Sequence, residues 1–451
     1  MLWRKQQKEI INWINEGNEA MLVSGARQTG KTYLIENTLK QEKCDFVKIN
    51  LLERPDIVNM FNLVYGKSVD VFLERITALV DHNFVRGKTI IFFDEVQECK
   101  DLVTKIKFLV EEGSYRYILS GSLLGVELTG LKSAPVGSLK TMEMFPLDFY
   151  EFLKAVNIKD STIVLLKNEF DNKMPVDGFI HEQIIDAFRT YLIVGGMPKA
   201  VDEYLNTRDY KKVVDVHKDI ITQYKVDFTK YEKESRLKLI KTYDLIPNEL
   251  ADKNKRYNFA NIDKGVRFNR YESSFDWLKA AGVAIPVFNI TEPRLPLAIN
   301  AKSNLFKLFM SDVGLLTTLY GRATQVAILG NDDSLNAGAI YENYVAQELR
   351  CHGFDGYYFN SHKQGELDFV IDYMDSVMPI EVKSGKDYTR HNALNNVINN
   401  KDYGVKQALV LSNANISQDS KIVYYPIYMT MFIDKELMPI PQLKNIDLSN
   451  I

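Results

Sequence analysis

Eight consecutive residues near the start of the chain have the types and spacing of a phosphate-binding loop. They fit the pattern G-x-x-x-x-G-K-[ST] and stand between an apolar run and a helical stretch, as the pattern requires. In such a loop the glycines let backbone N–H groups surround a β-phosphate, the lysine reaches the β- and γ-phosphates, and the threonine hydroxyl binds Mg²⁺. The pattern therefore predicts a site for a nucleotide and Mg²⁺. Its residues are Gly25, Ala26, Arg27, Gln28, Thr29, Gly30, Lys31 and Thr32.

Two carboxylates and a serine follow the next apolar runs. Asp94 and Glu95 come after the run Thr89 to Phe93, and Ser120 ends the run that begins at Tyr117. Behind a complete phosphate loop, we expect Asp94 to hold Mg²⁺ through water and Glu95 to polarise the attacking water. Ser120 has two interpretations of equal weight: a contact with the γ-phosphate or the water, or a place in a solvated turn.

A second set of chemically competent residues lies late in the chain. Asp368 stands in an apolar run, and Glu381 and Lys383 follow after a turn. Residues two apart on a strand share a face, so Glu381 and Lys383 project together, and a hairpin would bring Asp368 beside them. This layout suits Mg²⁺-dependent phosphodiester cleavage, with Asp368 and Glu381 as metal ligands and Lys383 orienting or deprotonating water. The alternative is a scaffold that keeps the fold without cutting.

The elements that must position these residues give an α/β fold class. Alternating strand and helix signals up to Ser120 predict a parallel sheet with helices on both faces. Long helical periodicity from about Met144 predicts a helical lid, and helices followed by two strand-like runs, 284–290 and 305–310, predict a winged helix. A second, smaller α/β unit follows Asn331. The predicted domains are residues 1–205, 206–330 and 331–451.

The middle of the chain carries a local excess of positive charge. Residues 230–270 contain eleven Lys and Arg and six Asp and Glu, a balance of +5. A helix from about Val266 to Ala281, with Arg267 and Arg270 near its start, could meet nucleic-acid phosphates. A solvated basic face is an equally weighted interpretation, because surface charge runs usually do nothing specific. Phe275 and Trp277 fit a core better than a stacking platform.

Composition narrows the class of protein. The chain has 451 residues, 56 Lys and Arg, 59 Asp and Glu, and a formal net charge of -3, which excludes a uniformly basic nucleic-acid coat. Its three scattered cysteines argue against a disulfide framework and a cysteine zinc site. The charged N-terminus and the lack of a long apolar run predict a cytoplasmic protein without a membrane partner. The oligomeric state is not determined, and a homo-oligomer stays open.

Nine motifs occur in a characteristic order along nearly the whole chain. They are GARQTGKT, FFDEVQEC, YILSGSLL, FPLDFYEF and YLIVGGMP, then LFMSDVGLL, GAIYENYVAQEL, GELDFVI and PIEVKSG. This ordered set resembles a bacterial and archaeal family with an N-terminal AAA-type ATPase domain and a C-terminal domain of unknown function. The resemblance implies ATP as the nucleotide, a winged-helix linker and a C-terminal fold similar to PD-(D/E)XK nucleases.

The resemblance also adds a helix carboxylate to the set of Asp368, Glu381 and Lys383. It leaves open which arginine completes the ATPase site. Glu342 matches the family's helix carboxylate, although a helical wheel does not choose between Glu342 and Glu348. Many members have a Gly-Arg pair before the PL-F motif, where this chain has Gly137-Ser138. An arginine at that place is therefore in doubt. The arginines that could serve instead are Arg27, Arg116 and Arg189.

Two functions of different classes fit these observations. The first is an ATPase that uses nucleotide turnover to switch a DNA-binding and possibly nucleolytic C-terminal half. The second is a signalling or interaction protein whose nucleotide state gates the binding of a partner, with the terminal fold as an inert scaffold. Metal-dependent DNA cleavage would separate the two functions, whereas ATP turnover would not.

Overall fold

The computed structural model describes residues 2–64, 69–122, 137–228, 233–262, 268–332, 335–435 and 438. The chain forms two compact units, each built from separate stretches of sequence. One unit comprises Met1–Lys159, Arg189–Ile285 and Leu308–Gly330, and the other comprises Asp160–Phe188, Pro286–Lys307 and Asn331–Ile451. The boundary at Gly330 coincides with the predicted start of a C-terminal domain at residue 331. The three-domain division itself stays a prediction.

A parallel sheet forms the centre of the first unit. Its five strands lie in the order β2-β3-β4-β1-β5, and every pair of neighbours runs parallel. This confirms the parallel sheet that the alternating pattern predicts. The strands are β1 Ala20–Gly25, β2 Phe46–Asn50, β3 Ile90–Asp94, β4 Arg116–Ser120 and β5 Leu139–Met144. The helices of this region are α1 Gln7–Glu16, α2 Lys31–Gln41, α3 Pro55–Val64, α4 Val69–Leu79, α5 Lys100–Glu112 and α6 Phe149–Ala155.

Both faces of this sheet are covered. Every residue of β3 is buried, with Ile91 and Phe93 in one hydrophobic cluster and Ile90 and Phe92 in another. Strands buried on both faces read as continuous apolar runs rather than alternating ones. This is why β3 is visible in the sequence as an uninterrupted run that ends at Asp94.

The region between the sheet and residue 330 is mainly helical, as predicted. The predicted strands at 284–290 and 305–310 are present as β6 and as part of β7, but they share a four-stranded sheet, in the order β7-β6-β8-β9, with two later strands. The winged-helix assignment stays a prediction. The elements are α7 Asp160–Asn172, α8 Gly178–Val194, α9 Pro198–Thr207, α10 Tyr210–Phe228, α11 Lys233–Ala251, α12 Glu272–Ala280, β6 Ala284–Ile290, β7 Ala301–Met310, α13 Val313–Tyr320 and α14 Arg322–Leu329.

A buried carboxylate joins two of the sequence motifs in the first unit. Asp312 accepts hydrogen bonds from the backbone N–H of Leu315, at 3.1 Å, and of Gly196, at 2.6 Å. Burial raises the pKa of Asp312 to about 6, although these N–H groups oppose the shift. A Cβ added to Gly196 would lie 1.9 Å from the carbonyl oxygen of Leu147. Only glycine therefore fits at the second position of this Gly-Gly turn.

The C-terminal elements form a second sheet, in the order β10-β11-β12-β14-β13. β10 and β11 form an antiparallel hairpin, β11, β12 and β14 run parallel, and β13 is antiparallel to β14. The predicted hairpin is found, and the elements after Asn331 are of the predicted α/β type. The elements are α15 Gly338–Cys351, β8 Tyr357–Ser361, β9 Gly365–Leu367, β10 Phe369–Tyr373, β11 Ser376–Val382, α16 Asn392–Asn399, β12 Ala408–Ser412, β13 Ser417–Asp419 and β14 Ile422–Pro426.

None of the helices in the described ranges is both long enough and apolar enough to cross a membrane.

The Gly-Gly turn gives a prediction about stability. We expect Gly196→Ala to lower the free energy of unfolding by at least about 2 kcal/mol, because the new methyl group meets backbone rather than a flexible side chain. Gly178→Ala is the matched control, since a Cβ there meets nothing within 4 Å. Urea unfolding of both variants measures the difference. Equal stabilities would contradict the packing argument.

Candidate functional site

The phosphate-binding loop connects the end of β1 to the start of α2. Three of its residues have positive φ angles: Gly25 at 136°, Gln28 at 64° and Gly30 at 90°. A Cβ on Gly25 would lie 2.1 Å from the carbonyl oxygen of Met144, so glycine is required there. No side chain caps the first turn of α2. The loop is thus a backbone cradle at a helix N-terminus, which suits a phosphate group.

Lys31 lies inside this loop. Its ammonium donates to the carbonyl oxygens of Gly25, at 3.0 Å, and Ala26, at 2.7 Å. Burial lowers the pKa of Lys31 to about 8, although the nearby carboxylates of Glu95 and Asp94 oppose the shift. The hydrogen-bond partners of the Lys31 ammonium are neutral carbonyl groups, which an anionic phosphate can replace.

A buried arginine that the motif does not include supports the loop. The Arg4 guanidinium donates to the carbonyl oxygens of Thr29, at 3.0 Å, and Phe145, at 2.7 Å, and pairs with Glu151 at 3.2 Å. Burial raises the pKa of Glu151, and the charge of Arg4 opposes that shift. Sequence reasoning missed Arg4, because one arginine in a charged N-terminal stretch carries no signal of its contacts.

The middle of the loop contacts α10. Arg27 forms an ion pair with Asp227, with 2.7 Å between Nε and Oδ2, and the side-chain amide of Gln28 donates to Gln223. The hydroxyl of Tyr224 donates to the carbonyl oxygen of Arg27 at 3.4 Å. Arg27 therefore already has a partner on α10. Nothing in the sequence pattern pointed to Asp227.

The other two candidate arginines, Arg116 and Arg189, lie in different parts of the fold. Arg116 lies at the amino end of β4 and donates to the carbonyl oxygens of Ile14, at 2.8 Å, and Trp13, with its guanidinium 4.3 Å from the Trp13 ring centroid. The phosphate loop follows the carboxyl end of the parallel neighbour β1, so Arg116 is at the opposite edge of the sheet. Arg189 lies in α8, and its role in nucleotide chemistry stays a prediction.

Asp94 joins two strand ends and the first turn of α2 in one hydrogen-bonded group. Its buried carboxylate accepts from the hydroxyl of Thr32, at 3.0 and 3.1 Å to the two oxygens, and from the hydroxyl of Ser120. Burial raises the pKa of Asp94, and the Ser120 and Thr32 hydrogen bonds oppose the shift. Ser120 is fully buried, so it does not lie in a solvated turn.

Glu95 follows Asp94 in a left-handed backbone conformation, with φ 57° and ψ 46°. This conformation is uncommon for a residue other than glycine and is found more often at functional sites. Glu95 immediately precedes the single helical turn Val96–Cys99. Its carboxylate accepts a hydrogen bond from the side-chain amide of Gln97. The turn leaves Glu95 half-buried beside the loop lysine.

A cavity of about 490 Å³ adjoins the loop at the start of α2. Its lining includes Trp3 and Arg4 from the N-terminal segment, Gly30 and Tyr33 from the loop and α2, and Pro198 at the start of α9. A cavity of this size can enclose most of a small ligand, and its aromatic side chains offer flat apolar surface.

In the second unit the structure brings Asp368, Glu381 and Lys383 together. The carboxylate of Asp368 accepts from the backbone N–H of Val382 at 2.9 Å, and the ammonium of Lys383 lies 2.8 Å from Glu381. The predicted shared face of Glu381 and Lys383 is therefore correct. Burial raises the pKa of Glu381, although Lys383 opposes the shift. Burial also acts to lower the pKa of Lys383, but Glu381 outweighs it and the net shift is upward.

A lysine that the sequence reasoning missed lies in the same group. The fully buried ammonium of Lys307 is 2.7 Å from Glu366, 3.4 Å from Glu342 and 3.8 Å from Asp368. Burial acts to lower the pKa of Lys307, but Glu342, Asp368 and Glu366 outweigh it and the pKa is raised. We call Lys307, Glu342, Glu366, Asp368, Glu381 and Lys383 the carboxylate cluster.

The cluster settles which α15 carboxylate takes part. Glu342 faces Lys307, whereas Glu348 lies 3.8 Å from Nε2 of His352, one turn further along α15. Across the described part of the chain, no three His, Cys, Asp or Glu side chains are arranged to hold a metal ion. With the Lys307 ammonium among these carboxylates, the metal-ligand roles of Asp368 and Glu381 stay predictions.

The basic segment is partly described. Arg267 and Val266 lie outside the described residues, and the rest of the predicted helix is a short turn, Phe268–Arg270, followed by α12. Arg270 is exposed, while Phe275 and Trp277 are buried, which confirms that these aromatic residues belong to a core.

Comparison with known families identifies a domain in the first part of the chain. Residues 17–153 match the model of an AAA domain, residues 185–326 match a domain of unknown function (DUF8612), and residues 337–430 match another (DUF4143). The chain therefore contains an AAA-type P-loop ATPase domain, a class that binds and hydrolyses nucleotides. The matches to the later regions assign no activity. No curated protein matches the chain.

Solved structures resemble the chain only distantly. A Walker-type ATPase of Pyrococcus abyssi has 15% identity and a TM-score of 0.44, with 71% of this chain and 96% of that chain covered. The Aeropyrum pernix ORC1 protein, solved in complex with DNA, has 12% identity and a TM-score of 0.30, with coverages of 73% and 93%. CDC6P from Pyrobaculum aerophilum has 12% identity and a TM-score of 0.26, with coverages of 74% and 95%. Likenesses this weak carry no argument about function.

Proposed function

We propose that the protein is a Mg²⁺-dependent ATPase whose nucleotide state controls the binding of a partner, with DNA as the partner class. The observation that carries the ATPase part is the Asp94 carboxylate, which accepts the hydroxyls of Thr32 and Ser120 at the mouth of the phosphate loop. Hydroxyl and carboxylate oxygens are the ligands that Mg²⁺ prefers. The residues present thus fit this ion.

Each side chain has a separate task in this proposal. Lys31 exchanges its two carbonyl contacts for oxygens of the β- and γ-phosphates, and its buried charge acts there with little solvent screening. Thr32 and Asp94 would hold Mg²⁺, and Ser120 orients Asp94. Bound Mg²⁺ neutralises charge on the β- and γ-phosphate oxygens. Glu95 holds the attacking water in line with the γ-phosphate.

The cavity beside α2 is proposed to receive the base of ATP. The cavity opens next to Gly30 of the phosphate-binding loop. Trp3 and Tyr33 provide rings on which a purine can stack. Arg4 lines the same cavity and also binds the loop carbonyl of Thr29, so filling the cavity would act on the loop as well.

The contacts of the loop with α10 support a switch. Phosphates that enter the loop compete with Asp227 for the guanidinium of Arg27, because both are anions within reach of the same side chain. Breaking this ion pair would remove one of the three contacts between the loop and α10, leaving those of Gln28 and Tyr224. Nucleotide binding would then change the position or stability of a helix outside the ATPase domain match.

DNA is proposed as the partner because of exposed positive charge in the segment 230–270. Lys253, Arg256 and Arg270 are exposed in the described part of that segment. Cleavage of DNA by Glu342, Asp368, Glu381 and Lys383 is not included in this proposal, and it stays a prediction from the sequence. The alternative function is a nucleotide-gated interaction protein with another partner.

The separate tasks of Lys31 and Glu95 give a first functional prediction. We expect Lys31→Ala to lose ATP binding, and Glu95→Gln to bind ATP but to hydrolyse it at least about 100-fold more slowly, the scale of losing a positioned catalytic group. Glu98→Gln, an exposed carboxylate in the same turn, is the matched control. Fluorescent-nucleotide binding and phosphate release provide the measurements. Hydrolysis at the wild-type rate in Glu95→Gln would exclude the proposed role.

The orienting role of Ser120 gives a second prediction. We expect Ser120→Ala to raise the Mg²⁺ concentration needed for half-maximal hydrolysis by about 10-fold or more, because a misdirected carboxylate binds the ion less well. Ser122→Ala is the control, since the Ser122 hydroxyl is buried without a hydrogen-bond partner among the described residues. Identical Mg²⁺ titrations of the two variants would show that the Ser120 contact is only structural.

The DNA proposal is tested by the salt dependence of binding. We expect Arg256→Ala with Arg270→Ala to flatten the log-log slope of duplex affinity against salt by roughly 2, because each lost phosphate contact removes about 0.9. Lys211→Ala with Lys212→Ala, an exposed pair outside the segment, should leave the slope unchanged. An absence of duplex binding at low salt, in every nucleotide state, would favour the alternative function.

A further inference from the structure

Lys307 lies where lysine is rarely found. It stands on β7 between Phe306 and Leu308, both 1% exposed, and its own side chain has no exposed surface. An ammonium group removed from water is strongly destabilising unless partners of opposite charge surround it. The position of Lys307 therefore depends on the carboxylates around it.

Those carboxylates come from two separate pieces of chain in the second unit, α15 and the continuous stretch that contains β9 and β10. Glu342 projects from α15, Glu366 from β9, and Asp368 precedes β10, and all three have an oxygen within 4 Å of the Lys307 ammonium. The ring centroid of Tyr358 lies 5.1 Å from the same nitrogen and adds a cation–π contact. One ammonium on β7 thus contacts both α15 and the stretch from β9 to β10.

A divalent ion would need the same oxygens. Mg²⁺ takes oxygen ligands at about 2.0–2.1 Å with near-octahedral geometry, which leaves no room for an ammonium group between those ligands. Lys383 cannot substitute for Lys307 in this position, because it pairs with Glu381 and its side chain is 27% exposed. An exposed lysine can swing aside for a metal, but a fully enclosed lysine cannot do so without local unfolding.

We propose that Lys307 is the permanent cation of the carboxylate cluster, standing in place of a divalent metal, and that loss of its ammonium converts the cluster into a divalent-metal site. The proposal is independent of ATP hydrolysis, because it concerns only residues of the second unit. In the wild-type chain it makes the cluster a structural element, in which the charges of Glu342, Glu366 and Asp368 are used to position α15, β9 and the start of β10.

Mn²⁺ binding to the nucleotide-free full-length protein tests the proposal. Electron paramagnetic resonance counts bound Mn²⁺, and thermal unfolding measures the stability. In the wild type we expect no Mn²⁺ bound at the cluster. Added Mn²⁺ should change the unfolding temperature of the wild type and of Asp368→Asn by the same amount. Lys307→Met should unfold about 10 °C lower, since it removes the positive charge that the carboxylates surround, and Mn²⁺ should restore part of the loss.

The controls separate the cluster from other sites. Lys302→Met, an exposed lysine on the same strand, should behave as wild type, and any Mn²⁺ held by the phosphate loop is the same in both proteins. Lys307→Met should gain one Mn²⁺ per chain, and adding Asp368→Asn should remove it. Should Lys307→Met not fold, the double variant with Glu366→Gln removes one negative charge together with the positive one.

Three results would overturn the proposal. The first is Mn²⁺ binding in the wild type that Asp368→Asn abolishes, which would show that a metal and Lys307 coexist. The second is an unchanged unfolding temperature in Lys307→Met. The third is a folded Lys307→Met, or its double variant with Glu366→Gln, that gains no Mn²⁺. ATP hydrolysis measured in parallel reports on the first unit alone, so a failure of the ATPase proposal would be recognised separately.

Discussion

The first unit depends on one constraint, the meeting of two strand ends and the first turn of α2 at the Asp94 carboxylate. The first turn of α2 provides Thr32, β3 ends in Asp94, and β4 ends in Ser120. In a parallel sheet all carboxyl ends lie at one edge, so side chains far apart in sequence become neighbours. The hydroxyl groups offset the free-energy cost of burying the carboxylate, and we propose that the same groups bind Mg²⁺. Stability and chemistry therefore depend on the same contacts.

Sequence reasoning succeeded where the information is local. β3 is buried on both faces and reads as one apolar run, the hairpin at 369–382 has a turn between two runs, and the period of two places Glu381 and Lys383 on one face. Each of these features is decided by backbone geometry within a few residues. The choice between Glu342 and Glu348 was not local, because both lie on the buried side of α15. Only the position of Lys307 separates them.

The residues that were missed act across long sequence separations. Arg4 reaches the loop and Glu151, Arg27 pairs with Asp227, and Lys307 gathers carboxylates from two separate pieces of chain. Charged residues are frequent in the chain, so no pattern pairs them in advance. Lys307 did carry one signal, since it interrupts the apolar run from Leu305 to Met310. A lone charge inside a strand with apolar neighbours implies buried partners of opposite charge, but it does not identify them.

Lys31 and Lys307 show how the partners of a buried lysine decide what the lysine can do. Lys31 binds neutral carbonyls of its own loop and its pKa falls to about 8, so an arriving phosphate offers a better partner than those already present. Lys307 binds carboxylates, which oppose the effect of burial, and its pKa is raised. Any replacement partner must then compete with these carboxylates in a site shielded from water. The first lysine is therefore ready to exchange its partners, whereas the second holds its partners in place.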